Sequence, residues 1–209
     1  MLYYSLLDIS AITDIQTDNI RQKIAQHFTD GDSLKRKESV IARALLCHML
    51  DKCFGVRDFT VDSDKNGKPV IVNSDLYFNL SHSGNFVLCV CGDENTGCDI
   101  EKIKACNFKV AERFFCENEC RLLSASDNFP FDFMRMWTLK ESVLKFSGKG
   151  ISGGLDSWDF SGYYKDDKFM LDGLMFLSFE KNGYYISVCS RSDELIYVEV
   201  FIGDIITDL

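Results

Sequence analysis

The sequence has no run of eighteen apolar residues, so no membrane-spanning helix is expected. Residues 1–10 carry no basic group ahead of their apolar residues, and Asp8 interrupts them. They read as a strand and not as a secretion signal. Nine cysteines are present, an odd number, with no C-x-x-C pair, so a disulfide framework is not expected. Only three histidines occur and none stands at ligand spacing to a cysteine, which argues against zinc. Cysteines of this kind suit a reducing compartment, and the cytoplasm is the expected location. Positive charge is also short: 23 Lys and Arg face 32 Asp and Glu, for a net charge of −9. That excess disfavours a nucleic-acid binder, whose affinity rests on neutralising phosphates. Within the acidic background one basic patch remains, Lys35-Arg36-Lys37 with Arg43 shortly after.

What is there is a chain of 209 residues with 46% hydrophobic content, enough for one large domain or two small ones sharing a core. A strand is expected over residues 2–9 and a helix-compatible stretch over 18–28. A helix over 34–53 has a wide apolar face and ends at Gly55. Short strands are expected near 59–62 and 69–72, joined by the turn Asp64-Lys65-Asn66-Gly67. In Phe78-Asn79-Leu80-Ser81-His82-Ser83-Gly84-Asn85-Phe86 a short strand enters a polar turn and a longer strand leaves it. Another strand is expected over 97–103, a single helix over 107–123, a loop over 124–131 and a helix over 132–147. Beyond it lie β segments near 158–160, 169–171, 175–179, 184–189 and 196–201.

Two stretches match each other. Gly84-Asn85-Phe86-Val87-Leu88-Cys89-Val90-Cys91 and Asn182-Gly183-Tyr184-Tyr185-Ile186-Ser187-Val188-Cys189 are each a tight turn followed by an aromatic-led strand ending in Val-Cys. Each follows a major helix. The expected fold is α+β, two similar α/β halves (1–105 and 106–209) about a pseudo-twofold axis. The cleft between them is the default ligand site.

Candidate chemistry sits in short motifs that are weak when taken singly. Asp99 and Glu101 are two apart, so on a strand both carboxylates share a face, roughly 7 Å apart along the backbone. They are either solvated acids on an edge or ligands of a hard cation such as Mg²⁺. In Trp137-Thr138-Leu139-Lys140-Glu141-Ser142-Val143-Leu144-Lys145, Glu141 and Lys145 share one helix face, either as a surface ion pair or as part of a site. Ser81-His82-Ser83-Gly84 offers hydroxyls, an imidazole and open N–H groups suited to an anion. Gly67-Lys68-Pro69 places a cation just after a turn, and Glu119 closes Phe114-Phe115-Cys116-Glu117-Asn118-Glu119.

Taken in order, these blocks closely resemble the larger, Sfp-type 4′-phosphopantetheinyl transferases, in which two similar halves are fused. The likeness runs from about Lys65 to Ser152. It implies an enzyme that moves the phosphopantetheine arm of coenzyme A to a serine of an apo acyl or peptidyl carrier protein, releasing adenosine 3′,5′-bisphosphate. It implies Asp99, Glu101 and Glu141 as Mg²⁺ ligands, with Lys145 on the transferring or leaving phosphate and Lys140 beside it. Ser81, His82 and Lys68 match coenzyme A contacts, and Arg36 and Lys37 would grip the 3′-phosphate. The base that takes the serine proton is Glu141 or Glu119. The resemblance further implies a monomer associated with secondary metabolism. Exposed aromatics in Phe129-Pro130-Phe131-Asp132-Phe133-Met134 are either a carrier-docking patch or core. Two other readings compete with the enzyme: a non-catalytic coenzyme A or nucleotide binder acting as regulator or scaffold, and an acidic interaction module with solvated carboxylates.

Overall fold

The computed structural model describes residues 1–150 and 154–208. The stretch carrying the family resemblance therefore ends, at Ile151 and Ser152, outside the described residues.

Short apolar-rich segments build two four-stranded sheets, and the strands Phe86–Gly92 and Tyr184–Ser190 are buried along their whole length. The first has the order β10-β1-β5-β4, from β1 (Leu2–Asp8), β4 (Tyr77–Ser83), β5 (Phe86–Gly92) and β10 (Leu195–Tyr197). The second has the order β6-β9-β8-β7, from β6 (Thr96–Lys102), β7 (Lys168–Leu171), β8 (Leu174–Lys181) and β9 (Tyr184–Ser190). A separate ribbon pairs β2 (Val61–Ser63) with β3 (Pro69–Ile71). All pairings are antiparallel except β1 with β10.

One long helix packs on each sheet. α2 (Lys37–Phe54) lies on the first, behind α1 (Asp14–Ile24), and is buried almost continuously from Ser39 to Leu50. Gly55 ends it in the left-handed region at φ 68°, its N–H reaching the carbonyls of Leu50 and Asp51. α5 (Phe129–Ser147) lies on β6 and β9 and ends the same way at Gly148, φ 67°. α3 (Phe108–Phe114) and α4 (Glu117–Ser124) precede α5, and α6 (Ile202–Asp208) packs against α2.

The matched stretches meet. Phe86, Leu88 and Val90 share one buried cluster with Tyr184, Ile186 and Val188, and the Phe86 and Tyr184 rings stand 4.9 Å apart. The Tyr184 hydroxyl accepts from the Asn85 N–H at 3.2 Å. The connectivity matches too, since β1-β5-β4 and β6-β9-β8 are each a leading strand beside a later hairpin. The strand bearing Asp99 and Glu101 hydrogen-bonds to β9, so it belongs to the same sheet that α5 covers. The sequence-based division at 105 had grouped it with the first half.

Several elements differ from the sequence expectation. The single helix over 107–123 is two, broken where Phe115 is extended and stacks on Phe133. The Glu119 carboxylate then reaches back to the Cys116 N–H and starts α4 afresh. α5 begins at Phe129 because Pro130 falls in its first turn, where no N–H partner is needed. Residues 158–160 form no strand, since buried side chains take their backbone groups, as described below. The segment 196–201 keeps only Leu195–Tyr197 as strand. Ser81 and His82 lie within β4, and the turn itself is Gly84-Asn85.

Candidate active site

β6 alternates. Cys98 and Ile100 point into the cluster between the sheets, which leaves Asp99 and Glu101 on the other face, towards α5 and β4. β4 lies along the free edge of β6 without a backbone ladder. Its own alternating side chains take the ladder's place. Asn79 Oδ1 accepts from the Cys98 N–H at 2.9 Å, Ser81 Oγ from Ile100 at 3.3 Å and Ser83 Oγ from Lys102 at 3.1 Å. The two serines then donate onward, Ser81 to Asp99 Oδ1 at 2.8 Å and Ser83 to Glu101 Oε2 at 2.9 Å. Asn79 was not foreseen as a site residue, although the N-x-S-x-S alternation was visible. Ser81 is thereby tied to β6 as well as facing the groove.

α5 brings the rest. It can approach β6 closely because residue 97 is glycine: a Cβ there would lie 2.0 Å from the Ser142 carbonyl and 2.3 Å from the Phe146 nitrogen. At that approach Lys145 Nζ sits 2.7 Å from Asp99 Oδ1 and 3.0 Å from Ser81 Oγ. Burial pulls the Lys145 value down, but Asp99 together with Cys98 and Glu141 more than reverses it, so the ammonium is held charged. Burial raises the Glu101 carboxyl, and the charge of Asp99 raises it further. The same two causes raise Glu141.

Asp99 is 4% exposed, and its Oδ2 has no hydrogen-bond partner. A buried carboxylate oxygen left without a partner is costly. Two further carboxylates line the same hollow, and oxygen donors of this kind suit a hard divalent cation. The residues present therefore fit such an ion. The three carboxylates do not all lie within 4.8 Å of one another.

The hollow, about 350 Å³, is lined by Leu80, Ser81, His82, Asp99, Glu101, Trp137, Glu141 and Lys145. It shares Leu80 and His82 with a second pocket of about 310 Å³ that also holds Phe28, Ser39, Arg36 and Arg43. The cation-ready end thus continues into a pocket where Arg36 and Arg43 stand with Asp30 and Asp62. The Arg43 guanidinium stands 5.6 Å from the Phe28 ring centre, and burial lowers its value. His82 Nε2 lies 3.5 Å from Ser39 Oγ. Burial, then the charge of Arg36, depresses the imidazole, which favours the neutral form.

Four of the expected site residues are elsewhere. Lys37 turns to the Ile12 carbonyl. Lys68 lines neither pocket. Its Nζ donates to Asn95 Oδ1 at 2.8 Å, the Phe146 carbonyl at 3.2 Å and the Thr96 carbonyl at 3.3 Å. Glu119 and Lys140, expected as a base and a phosphate contact, form an ion pair at 2.7 Å with both side chains fully buried. Lys140 also donates to the carbonyls of Leu155 and Trp158, both at 2.7 Å, and Glu119 Oε1 accepts from the Phe160 N–H at 3.0 Å. Adjacent helix residues lie about 100° apart, so α5 turns Lys140 inward as it turns Glu141 to the groove. Cys116, Glu119 and Asp159 also cluster within 4.8 Å. Lys140 already neutralises Glu119, Asn118 and Ser161 bind Asp159, and burial pushes the Cys116 thiol up to about 11. The aromatic stretch expected as docking patch or core packs together: Phe133 and Met134 are buried, and Phe129 and Phe131 lie half-buried against them, with Phe131 beside Tyr185.

Residues 95–189, from the turn into β6 to the end of β9, match the family model described as the 4′-phosphopantetheinyl transferase superfamily. That segment of 95 residues is similar to the superfamily. Among individual 4′-phosphopantetheinyl transferases, Sfp of Bacillus subtilis is 40% identical over 131 residues, covering 61% of this chain and 54% of Sfp. The gsp protein of Aneurinibacillus migulanus is 42% identical over 140 residues, covering 65% and 59%. HetI of a Nostoc species is 34% identical over 128 residues, covering 56% and 54%. The chain thus spans little more than half the length of the curated relatives it matches. The superfamily segment contains Asp99, Glu101, Glu141 and Lys145. The pocket with Arg36, Arg43 and His82 lies outside it.

Proposed function

We propose that this protein transfers the 4′-phosphopantetheine arm of coenzyme A to a serine hydroxyl of an apo acyl or peptidyl carrier protein. The observation that carries the reading is the partnerless Oδ2 of buried Asp99, beside Lys145 and in one hollow with Glu101 and Glu141, which continues into a pocket holding Arg36 and Arg43. Asp99, Glu101 and Glu141 would hold Mg²⁺, which when bound neutralises charge on the pyrophosphate.

In the reaction, a bond forms from the serine oxygen to phosphorus as the bond from phosphorus to the nucleotide oxygen breaks. The serine proton passes to a carboxylate, and adenosine 3′,5′-bisphosphate leaves. Glu141 is the better placed base, because it lines the hollow beside Lys145. Glu119 does not serve, being locked to Lys140. The Lys145 ammonium, held at the groove by Asp99, stabilises charge on the transferring and leaving phosphates. Arg36, Arg43 and His82 bind the nucleotide phosphates in the second pocket.

We further propose two repeated units related by a pseudo-twofold axis, meeting at the turn between β5 and β6 and acting as a monomer. Nine free thiols support a reducing compartment, the cytoplasm. No described helix is long and apolar enough to cross a membrane. Carriers of secondary metabolism are the proposed substrates.

Incubation with coenzyme A, Mg²⁺ and an apo carrier protein should give a carrier heavier by one phosphopantetheine in the mass spectrum. Asp99→Ala and Glu141→Ala should nearly abolish the gain. Binding of coenzyme A with no gain on any of several carriers would refute the transferase and favour a binder. Absence of coenzyme A binding would refute both.

A further inference from the structure

We infer that Lys68 is a positioning residue, which fastens the end of α5 to the start of β6 and so fixes Lys145 and Glu141 against Asp99. The inference uses the transferase reading for its kinetic readout alone. The family resemblance implies a coenzyme A contact for Lys68, but its ammonium is otherwise engaged. Its three donors have three acceptors: Asn95 Oδ1, the Thr96 carbonyl where β6 begins, and the Phe146 carbonyl. Phe146 directly follows Lys145, in the last turn of α5, where carbonyls lack a partner within the helix. A cation there also complements the helix dipole.

Asn95 completes the arrangement. Its Nδ2 donates to the same Phe146 carbonyl at 2.9 Å while its Oδ1 accepts from Lys68. The clamp stands on a firm base. Asp64 Oδ1 accepts from the Lys68 N–H at 2.9 Å, and the Lys68 carbonyl accepts from the Asp64 N–H at 2.9 Å. The lysine stem runs beside the helix end, where a Cβ on Gly148 would stand 3.5 Å from its Cδ. A turn outside the second sheet thus holds together the two elements that carry the carboxylates and Lys145.

The test combines hydrogen exchange without ligand and steady-state kinetics on Lys68→Met, Lys68→Arg and Asn95→Ala. In Lys68→Met, amides of residues 144–148 should exchange about 10- to 100-fold faster, the loss expected for a charged hydrogen-bond set. kcat should fall roughly tenfold or more, with KM for coenzyme A changed by less than about threefold, the signature of misplaced catalytic groups. Lys68→Arg should recover part of both effects. Asn95→Ala should shift both the same way by less, and it decides the matter if Lys68→Met fails to fold. Unchanged exchange at 144–148 would overturn the inference, as would a raised KM with kcat intact, which marks direct contact with coenzyme A. A wild-type protein without transferase activity would refute the proposed function, and exchange at 144–148 would still decide the role of Lys68.

Discussion

Replacing Gly97 by alanine tests the close approach on which the site depends. The added Cβ would lie 2.0 Å from the Ser142 carbonyl oxygen, 2.3 Å from the Phe146 nitrogen and 2.9 Å from the Phe146 Cα. These are backbone atoms of α5, so no side chain can swing aside. Ordinary Cβ contact begins near 3.4 Å, so relief requires α5 and β6 to part by about 1.4 Å, the difference between 3.4 and 2.0 Å. Overpacking of this kind costs about 1–3 kcal/mol, and a backbone clash belongs at the upper end. For a chain of this size that is roughly 5–10 °C in Tm. The larger effect is on the reaction. Asp99 rides on β6 while Glu141 and Lys145 ride on α5, so the same separation pulls the site apart. A displacement of about 1 Å costs on the order of a hundredfold in rate. The measurements are thermal unfolding and carrier mass gain, with Gly162→Ala as control, since nothing stands within 4 Å of a Cβ there. A Gly97→Ala protein with unchanged Tm and turnover would refute the helix-on-strand account of the site.

Breaking the Glu119–Lys140 pair on one side should be harsher than removing both charges. Glu119→Gln or Lys140→Met alone should cost about 3–5 kcal/mol in urea unfolding, the double variant less than their sum, and coenzyme A affinity should change only as far as folding does. His82 gives a pH signature. Its depressed value means the imidazole is neutral at pH 7, so stability of the free protein is fully present above 6.5 and is lost as pH falls through the lower folded value. An anion bound beside it favours the proton, so adenosine 3′,5′-bisphosphate should bind more tightly as pH falls from about 8 to 6 by titration calorimetry, and His82→Gln should flatten that dependence.

The site was readable in the sequence wherever a period alone decides orientation. Asp99 and Glu101 share a face because strands repeat every two residues, and Glu141 and Lys145 because helices repeat near four. The matched stretches were readable for the same reason, since their alternate residues form one shared cluster. Lys140 was not. A lysine is assigned to solvent by default, and only Glu119, twenty-one positions earlier, makes its burial tolerable. The break between α3 and α4 was hidden by the same carboxylate, which serves as helix cap and ion-pair partner at once. The aromatics from Phe129 to Phe133 look like a surface patch until α5 is seen to begin at Phe129 and turn them into the core. The contacts of Lys68 were hidden because its acceptors are two backbone carbonyls and an asparagine, groups that leave no charge pattern in a sequence.

The pairing of β1 with β10 has a consequence for synthesis. Leu2 to Tyr4 lie beside Leu195 to Tyr197, while the other side of β1 is filled by β5, about ninety residues away in the chain. A chain emerging from the ribosome therefore leaves that edge of β1 bare until β10, nearly two hundred residues later, has followed it. Bare strand edges recruit other strands, and contacts this distant in sequence form slowly. The interval before Leu195 appears is when the nascent protein is most open to pairing with the wrong chain, and slower translation through the second sheet would lengthen it.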